Sequence, residues 1–121
     1  MNDQVVIYHN PRCSKSRETL ALLRQQGIEP QIIRYLDTPL DAETLGTLLQ
    51  MLGFTHAREL MRRNEALYQE LHLADETLSD AQLIEAMASH PKLIERPIVV
   101  VEGQARLGRP SENVLAILPR K

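Results

Sequence analysis

The 121-residue chain has one cysteine, so it cannot form an internal disulfide, and no Cys/His cluster has the spacing of zinc ligands. Neither a metal nor a bound cofactor is therefore expected. Fourteen basic residues stand against sixteen acidic ones, a net charge of −2. No global positive field draws the chain to nucleic acid or anionic lipid, and any anion site has to come from local convergence of cations. No apolar run approaches membrane-spanning length, and the N-terminus lacks the charged and apolar regions of a signal peptide. Repeats, linkers and low-complexity segments are also missing. The expectation is a cytoplasmic monomer with no nucleic-acid or membrane partner. If the lone thiol is catalytic, its resolving thiol must come from another molecule.

What is present suits one domain over residues 1–121, with 43% hydrophobic and 25% charged residues. Residues 4–8 are short, apolar and β-branched, as in a buried strand. Residues 14–26 carry Leu20, Leu22 and Leu23 at helical spacing, with Gly27 as the C-cap. Gln31–Tyr35 reads as a second strand, parallel to the first through the helical crossover. A helical stretch over about 41–90 follows, opened by Asp41 and by Ser79 with Gln82 in a capping-box pattern. Within it, Thr55 starts a short helix with Ala57, Leu60 and Met61 on one side. Arg96–Val101 and Gln104–Leu107 flank Glu102-Gly103, which suits an antiparallel hairpin. Pro110 and Ser111 open a last helix with Val114, Leu115 and Leu118 inward. The order βαβ, helices, ββα describes an α/β protein: one mixed four-stranded sheet with a helical insertion between its βαβ and ββα halves.

The cysteine lies where the first strand gives way to the first helix, in His9-Asn10-Pro11-Arg12-Cys13-Ser14-Lys15-Ser16-Arg17. A thiol at a helix N-terminus faces unpaired N–H groups and the positive end of the helix dipole, and both favour the thiolate. Free cysteine more often acts as a small buried hydrophobe. Here the neighbours are cationic and polar, so Cys13 reads as a nucleophile. His9 can donate a hydrogen bond or simply hold the end of the strand. Asn10 and Ser16 can satisfy loop N–H groups or bond the thiolate. Arg17 and Lys15 can equally be exposed first-turn residues.

Three arginines stand at element boundaries: Arg62, Arg96 before Pro97 and Arg109 before Pro110. A residue before proline is held extended, which fixes where its side chain leaves the backbone. Taken singly, each arginine reads as a solvated surface cation. Together around Cys13 they would form a pocket for a tetrahedral oxyanion, since guanidinium forks bind such groups bidentately.

The stretch 9–17, with Leu60-Met61-Arg62-Arg63-Asn64, Glu95-Arg96-Pro97-Ile98-Val99 and Gly108-Arg109-Pro110-Ser111-Glu112, resembles the ArsC family of glutaredoxin-dependent arsenate reductases over nearly the whole chain. The resemblance implies a thioredoxin-like fold with a helical insertion and a cis peptide bond before Pro97. It implies Cys13 as the nucleophile that forms a covalent adduct with arsenate, and Arg62, Arg96 and Arg109 as the groups that bind the oxyanion. His9 and Ser16 would tune the thiolate, while Asn10 and Arg17 shape the loop. Glutathione would be the co-substrate and glutaredoxin the protein that resolves the mixed disulfide. Two other functions fit the pattern less closely: thiol exchange on a different substrate, and a binding module like the Spx transcription regulators. Those regulators typically carry Cys-x-x-Cys, and Ser16 stands at the second position here.

Overall fold

A computed structural model describes residues 5–38, 40–108 and 111–118. They fall into two compact units, one of residues 1–38 and 96–121 and the other Pro39–Glu95.

The first unit holds the sheet. Its strands are β1 (Val5–Tyr8), β2 (Gln31–Ile33), β3 (Ile98–Val101) and β4 (Gln104–Leu107), in the order β2-β1-β3-β4. The β1–β2 pair is parallel, as a strand–helix–strand crossover predicts, and β3 runs antiparallel to both β1 and β4. Glu102 and Gly103 both have positive φ, 49° and 80°. A two-residue hairpin turn of that hand matches the twist of the strands it joins, which is why glycine suits the second position. Helix α1 (Ser14–Gln25) ends where Gly27, at φ 79°, lets the Ile28 N–H reach back to the Leu23 carbonyl at 3.0 Å. Alternation along β1 and β3 sends Val5, Ile7, Val99 and Val101 to one face, where they pack with Leu23, Val114 and Ile117. Truncating a side chain as fully enclosed as Leu23 or Ile7 costs about 2–5 kcal/mol.

Several boundaries differ from those the sequence suggests. β2 stops at Ile33, and β3 starts at Ile98 rather than Arg96. The last helix is a 3-10 helix over Ser111–Ile117, not an α-helix. At three residues per turn, 111, 114 and 117 share one side. Ser111, Val114 and Ile117 are accordingly buried, Leu118 is partly buried against them, and Leu115 points outward at 42% exposed. Pro110, expected at the start of this helix, lies outside the described residues.

The second unit, Pro39–Glu95, is helical. Helix α2 (Ala42–Leu52) is capped by Asp41, whose carboxylate accepts the Thr44 N–H at 2.8 Å. Leu45, Leu48, Leu49 and Leu52 are its buried stripe. The short helix expected at Thr55 is a single 3-10 turn, Ala57–Leu60, followed by α3 (Ala66–Glu70). Helix α4 (Asp80–Ser89) opens with the full capping box of Ser79 and Gln82. Between them, Leu60–Arg62 and Leu93–Glu95 form a two-rung antiparallel clasp. The Arg62 N–H donates to the Leu93 carbonyl and the Glu95 N–H to that of Leu60, each at 2.7 Å, around the Met61–Ile94 pair. No helix among the described residues is long and apolar enough to cross a membrane.

Candidate active site

The parallel ladder continues one step past β1, where the His9 N–H donates to the Ile33 carbonyl at 2.8 Å. The chain then turns sharply. The Cys13 N–H donates to the Asn10 carbonyl at 3.0 Å, with Pro11 at the second position of the turn, where its fixed φ is favoured. The Asn10 side-chain oxygen accepts the Arg12 N–H at 3.0 Å, and the Arg17 guanidinium reaches back to the Pro11 carbonyl at 2.9 Å. Cys13 is left at the mouth of α1.

The thiol is only 8% exposed, as a packing cysteine would be. Its neighbours are polar, however. Burial pushes the thiol up. Against this, the Ser16 N–H, the charge and side-chain hydrogen bond of Arg96, and the Lys15 N–H all favour the anion, and they leave the thiol below its ordinary value. The helix mouth and one guanidinium thus outweigh desolvation.

Strand register explains why Arg96 is there. Tyr8 pairs with Ile98 in the antiparallel β1–β3 ladder. Carried two residues further, that register sets Arg96 and Pro97 beside the loop that follows β1. The Arg96–Pro97 bond is cis, as the resemblance implied. Pro97 is then bonded across to β4's end, where its carbonyl accepts the Gly108 N–H at 3.0 Å. Only glycine fits at 108: a Cβ there would overlap the Thr19 hydroxyl on α1 and come within 2.8 Å of the Pro97 ring.

Ser16 is fully buried, and its hydroxyl joins two parts of the loop. Its oxygen accepts the Asn10 N–H at 3.0 Å and lies 2.7 Å from His9 Nδ1. A hydroxyl has one donor and two acceptor sites, so the proton of this bond comes from Ser16 when Nδ1 is bare and from His9 when Nδ1 carries it. Burial, then the charges of Arg34, Arg24 and Arg17, push His9 below its usual value and agree with a neutral ring. His9 therefore spends Nδ1 on Ser16 rather than on the sulfur.

The structure brings Cys13, His9, Asn10, Ser16, Arg17 and Arg96 together in the first unit. Arg62 belongs to the second, where its guanidinium lies 3.0 Å from Glu65 and 3.8 Å from Glu95. Arg109 lies outside the described residues. Sequence reasoning did not single out the Lys15 and Ser16 N–H groups as the donors, nor Arg24 and Arg34 as neighbours of His9. The helix start signals the former. For the latter only the strand–helix–strand connection brings residues 24 and 34 to one place. No group of three or more His, Cys, Asp or Glu that could hold a metal occurs among the described residues.

A β2-β1-β3-β4 sheet, a helix after β1 with a thiol at its mouth and a cis proline ahead of β3 define a thioredoxin-like protein. The profile of the ArsC family matches residues 8–117, and the chain belongs to that family. It is 62% identical over 118 residues to the Escherichia coli (strain K12) protein YfgD, described as uncharacterized, covering 98% of this chain and 99% of the relative. It is 47% identical over 115 residues to the arsenate reductase of Neisseria meningitidis serogroup B, covering 95% and 98%. Among solved structures, the arsenate reductase from Vibrio cholerae superposes with a TM-score of 0.96 at 62% identity, covering 98% of this chain and 100% of that one.

Proposed function

We propose that the protein is an arsenate reductase in which Cys13 is the nucleophile and glutathione with glutaredoxin supplies the electrons. The observation that carries this reading is the thiol at the α1 mouth, favoured as thiolate by two backbone N–H groups and the Arg96 guanidinium.

In the first step the thiolate attacks arsenic(V). The S–As bond forms, one As–O bond breaks, and the oxygen leaves as water after protonation. Two like charges 4 Å apart repel by about 4 kcal/mol at an effective dielectric of about 20, enough to slow attack on an anion about a thousandfold. A guanidinium beside both partners offsets that repulsion and stabilises the charge that moves to oxygen. In the second step a glutathione thiolate attacks the Cys13 sulfur. The S–As electron pair stays on arsenic, which leaves as arsenite, and a Cys13–glutathione disulfide remains. Glutaredoxin reduces that disulfide by thiol exchange. Arg62 and Arg109 enter this reading as oxyanion ligands through the family motifs that contain them. Ser16 in place of a second cysteine favours borrowed thiols over an internal relay.

The test is arsenite formation from arsenate with glutathione and glutaredoxin present. Turnover by the wild type that disappears in Cys13→Ser supports the reading, and turnover no higher than that variant's overturns it.

A further inference from the structure

The residues that α1 buries are Ser16, Thr19 and Leu23, and the two nearest its mouth are polar. Ser16 is engaged with His9 and Asn10. Thr19 is fully buried and has no part in the chemistry above. Its hydroxyl donates to the Lys15 carbonyl one turn back, at 2.9 Å, so it needs no partner from outside the helix. What the side chain faces is the backbone of Gly108. A Cβ there would overlap the Thr19 hydroxyl, meet its methyl at 3.1 Å and reach the Pro97 ring at 2.8 Å. Gly108 does not lie in the left-handed region, so glycine is needed for room rather than for backbone freedom. A helix side chain thus rests directly on a main chain kept bare.

That contact closes a ring that runs through the sulfur. One step beyond Ile98 and Leu107, the β3–β4 register sets Pro97 opposite Gly108, as the 3.0 Å bond between them requires. Arg96 is the next residue, and its side chain is hydrogen-bonded to Cys13. From Cys13 the first turn of α1 leads to Lys15, whose N–H favours the thiolate and whose carbonyl anchors Thr19. In a closed circuit, a displacement at one contact is taken up at another. The helix turn and the ladder are held by main-chain bonds, whereas Arg96 meets the sulfur through a flexible side chain whose hydrogen bond weakens steeply as it bends or stretches. The sulfur's own loop and first turn carry His9, Arg12, Lys15 and Arg17, yet the charge that acts on it is that of Arg96, from the segment ahead of β3.

We propose that Thr19 and Gly108 are positioning residues for the nucleophile: their contact sets how closely Arg96 approaches the Cys13 sulfur. The absent side chain at 108 lets the end of β4 close on α1, and the hydroxyl and methyl of Thr19 are the stop against which it closes. Extra bulk at either position pushes the Pro97 strand end off the helix mouth and draws the guanidinium away from the thiolate. This rests on the reading above only in taking Cys13 as the nucleophile, and it holds whatever the electrophile is.

The test follows Cys13 alkylation by iodoacetamide against pH on the full chain, with urea unfolding to show that each variant is folded. Gly108→Ala should move the midpoint up by about one pH unit, which is about tenfold slower alkylation on the acid side. Adding Thr19→Ala removes the hydroxyl and methyl that the new Cβ meets, and should restore the wild-type midpoint. In an Arg96→Ala background, Gly108→Ala should add no further shift, because the contact acts through that guanidinium. If Gly108→Ala does not fold, Thr19→Val decides: it crowds the same spot with a methyl in place of the hydroxyl, and should slow acid-side alkylation about threefold. The proposal is overturned by an unmoved midpoint in folded Gly108→Ala, by a shift that Thr19→Ala leaves in place, by a full further shift on top of Arg96→Ala, or by an unchanged Thr19→Val where that variant decides. The expected shifts in a protein that makes no arsenite leave the positioning pair standing and sink the arsenate reading. Arsenite formation without those shifts overturns this inference alone.

Discussion

Helices α1 and α4 begin in opposite ways. At α4, Ser79 and Gln82 exchange side-chain and backbone bonds, so the N–H groups of both residues are satisfied locally. At α1, the N-cap is Cys13, which makes no conventional side-chain cap bond, and the Lys15 and Ser16 N–H groups favour its ionised sulfur instead. The first arrangement serves stability. The second keeps the field of the helix mouth directed at a single atom, and serine, the better cap, would remove the atom that uses it.

The largest effect should come from forcing α1 to start as α4 does. Cys13→Ser should lower arsenite formation by at least about a thousandfold while leaving the melting temperature unchanged or raised, because serine is a strongly preferred N-cap. A thermal melt and the activity assay on one preparation check both halves.

Removing the guanidinium comes next. Arg96→Ala should slow arsenite formation about 10- to 100-fold, the worth of a charge-assisted hydrogen bond of about 1.5–3 kcal/mol. The cation favours the thiolate, so its loss must raise the Cys13 pKa. Alkylation rate against pH should therefore shift to higher pH in Arg96→Ala and stay in place in Arg63→Ala. Gly108→Ala should destabilise by about 1–3 kcal/mol through overpacking against Thr19 and Pro97, read by urea unfolding.

Ser79→Ala should cost about 1 kcal/mol and leave the alkylation profile of Cys13 where it was. Smallest is the acid limb. His9 is held below its ordinary value, so the unfolded chain takes up its proton first as pH falls below about 6.5. Stability should then decline with acidification until the folded-state ring titrates. That slope should flatten in His9→Gln, measured by unfolding between pH 7 and pH 5.

Features written into a few adjacent residues were legible from sequence. The caps at Asp41 and Ser79, the glycine stop at Gly27 and the Glu102-Gly103 hairpin depend on neighbours within four positions, and all four appear in the structure. The strand–helix–strand unit was legible for the same reason. The last helix was not, because Val114, Leu115 and Leu118 suit an α-helical face, whereas the residues it buries against β4 and α1 are Ser111, Val114 and Ile117, at 3-10 spacing. In the site, the helix mouth marked Cys13, whereas the approach of Arg96 depends on β1–β3 register across some ninety residues. Nothing local announced that Ser16 would engage His9, or that Glu65 and Glu95 would flank Arg62.

The clasp between Leu60–Arg62 and Leu93–Glu95 gives the later part of the second unit the character of a cassette. Main-chain bonds close the stretch 63–92 into a loop, so the backbone at Arg62 is held by its seam with Leu93. Lengthening or trimming the exposed run Ala74–Thr77 should be absorbed inside that closed loop. Sequence drift can accumulate there without moving the backbone at Arg62.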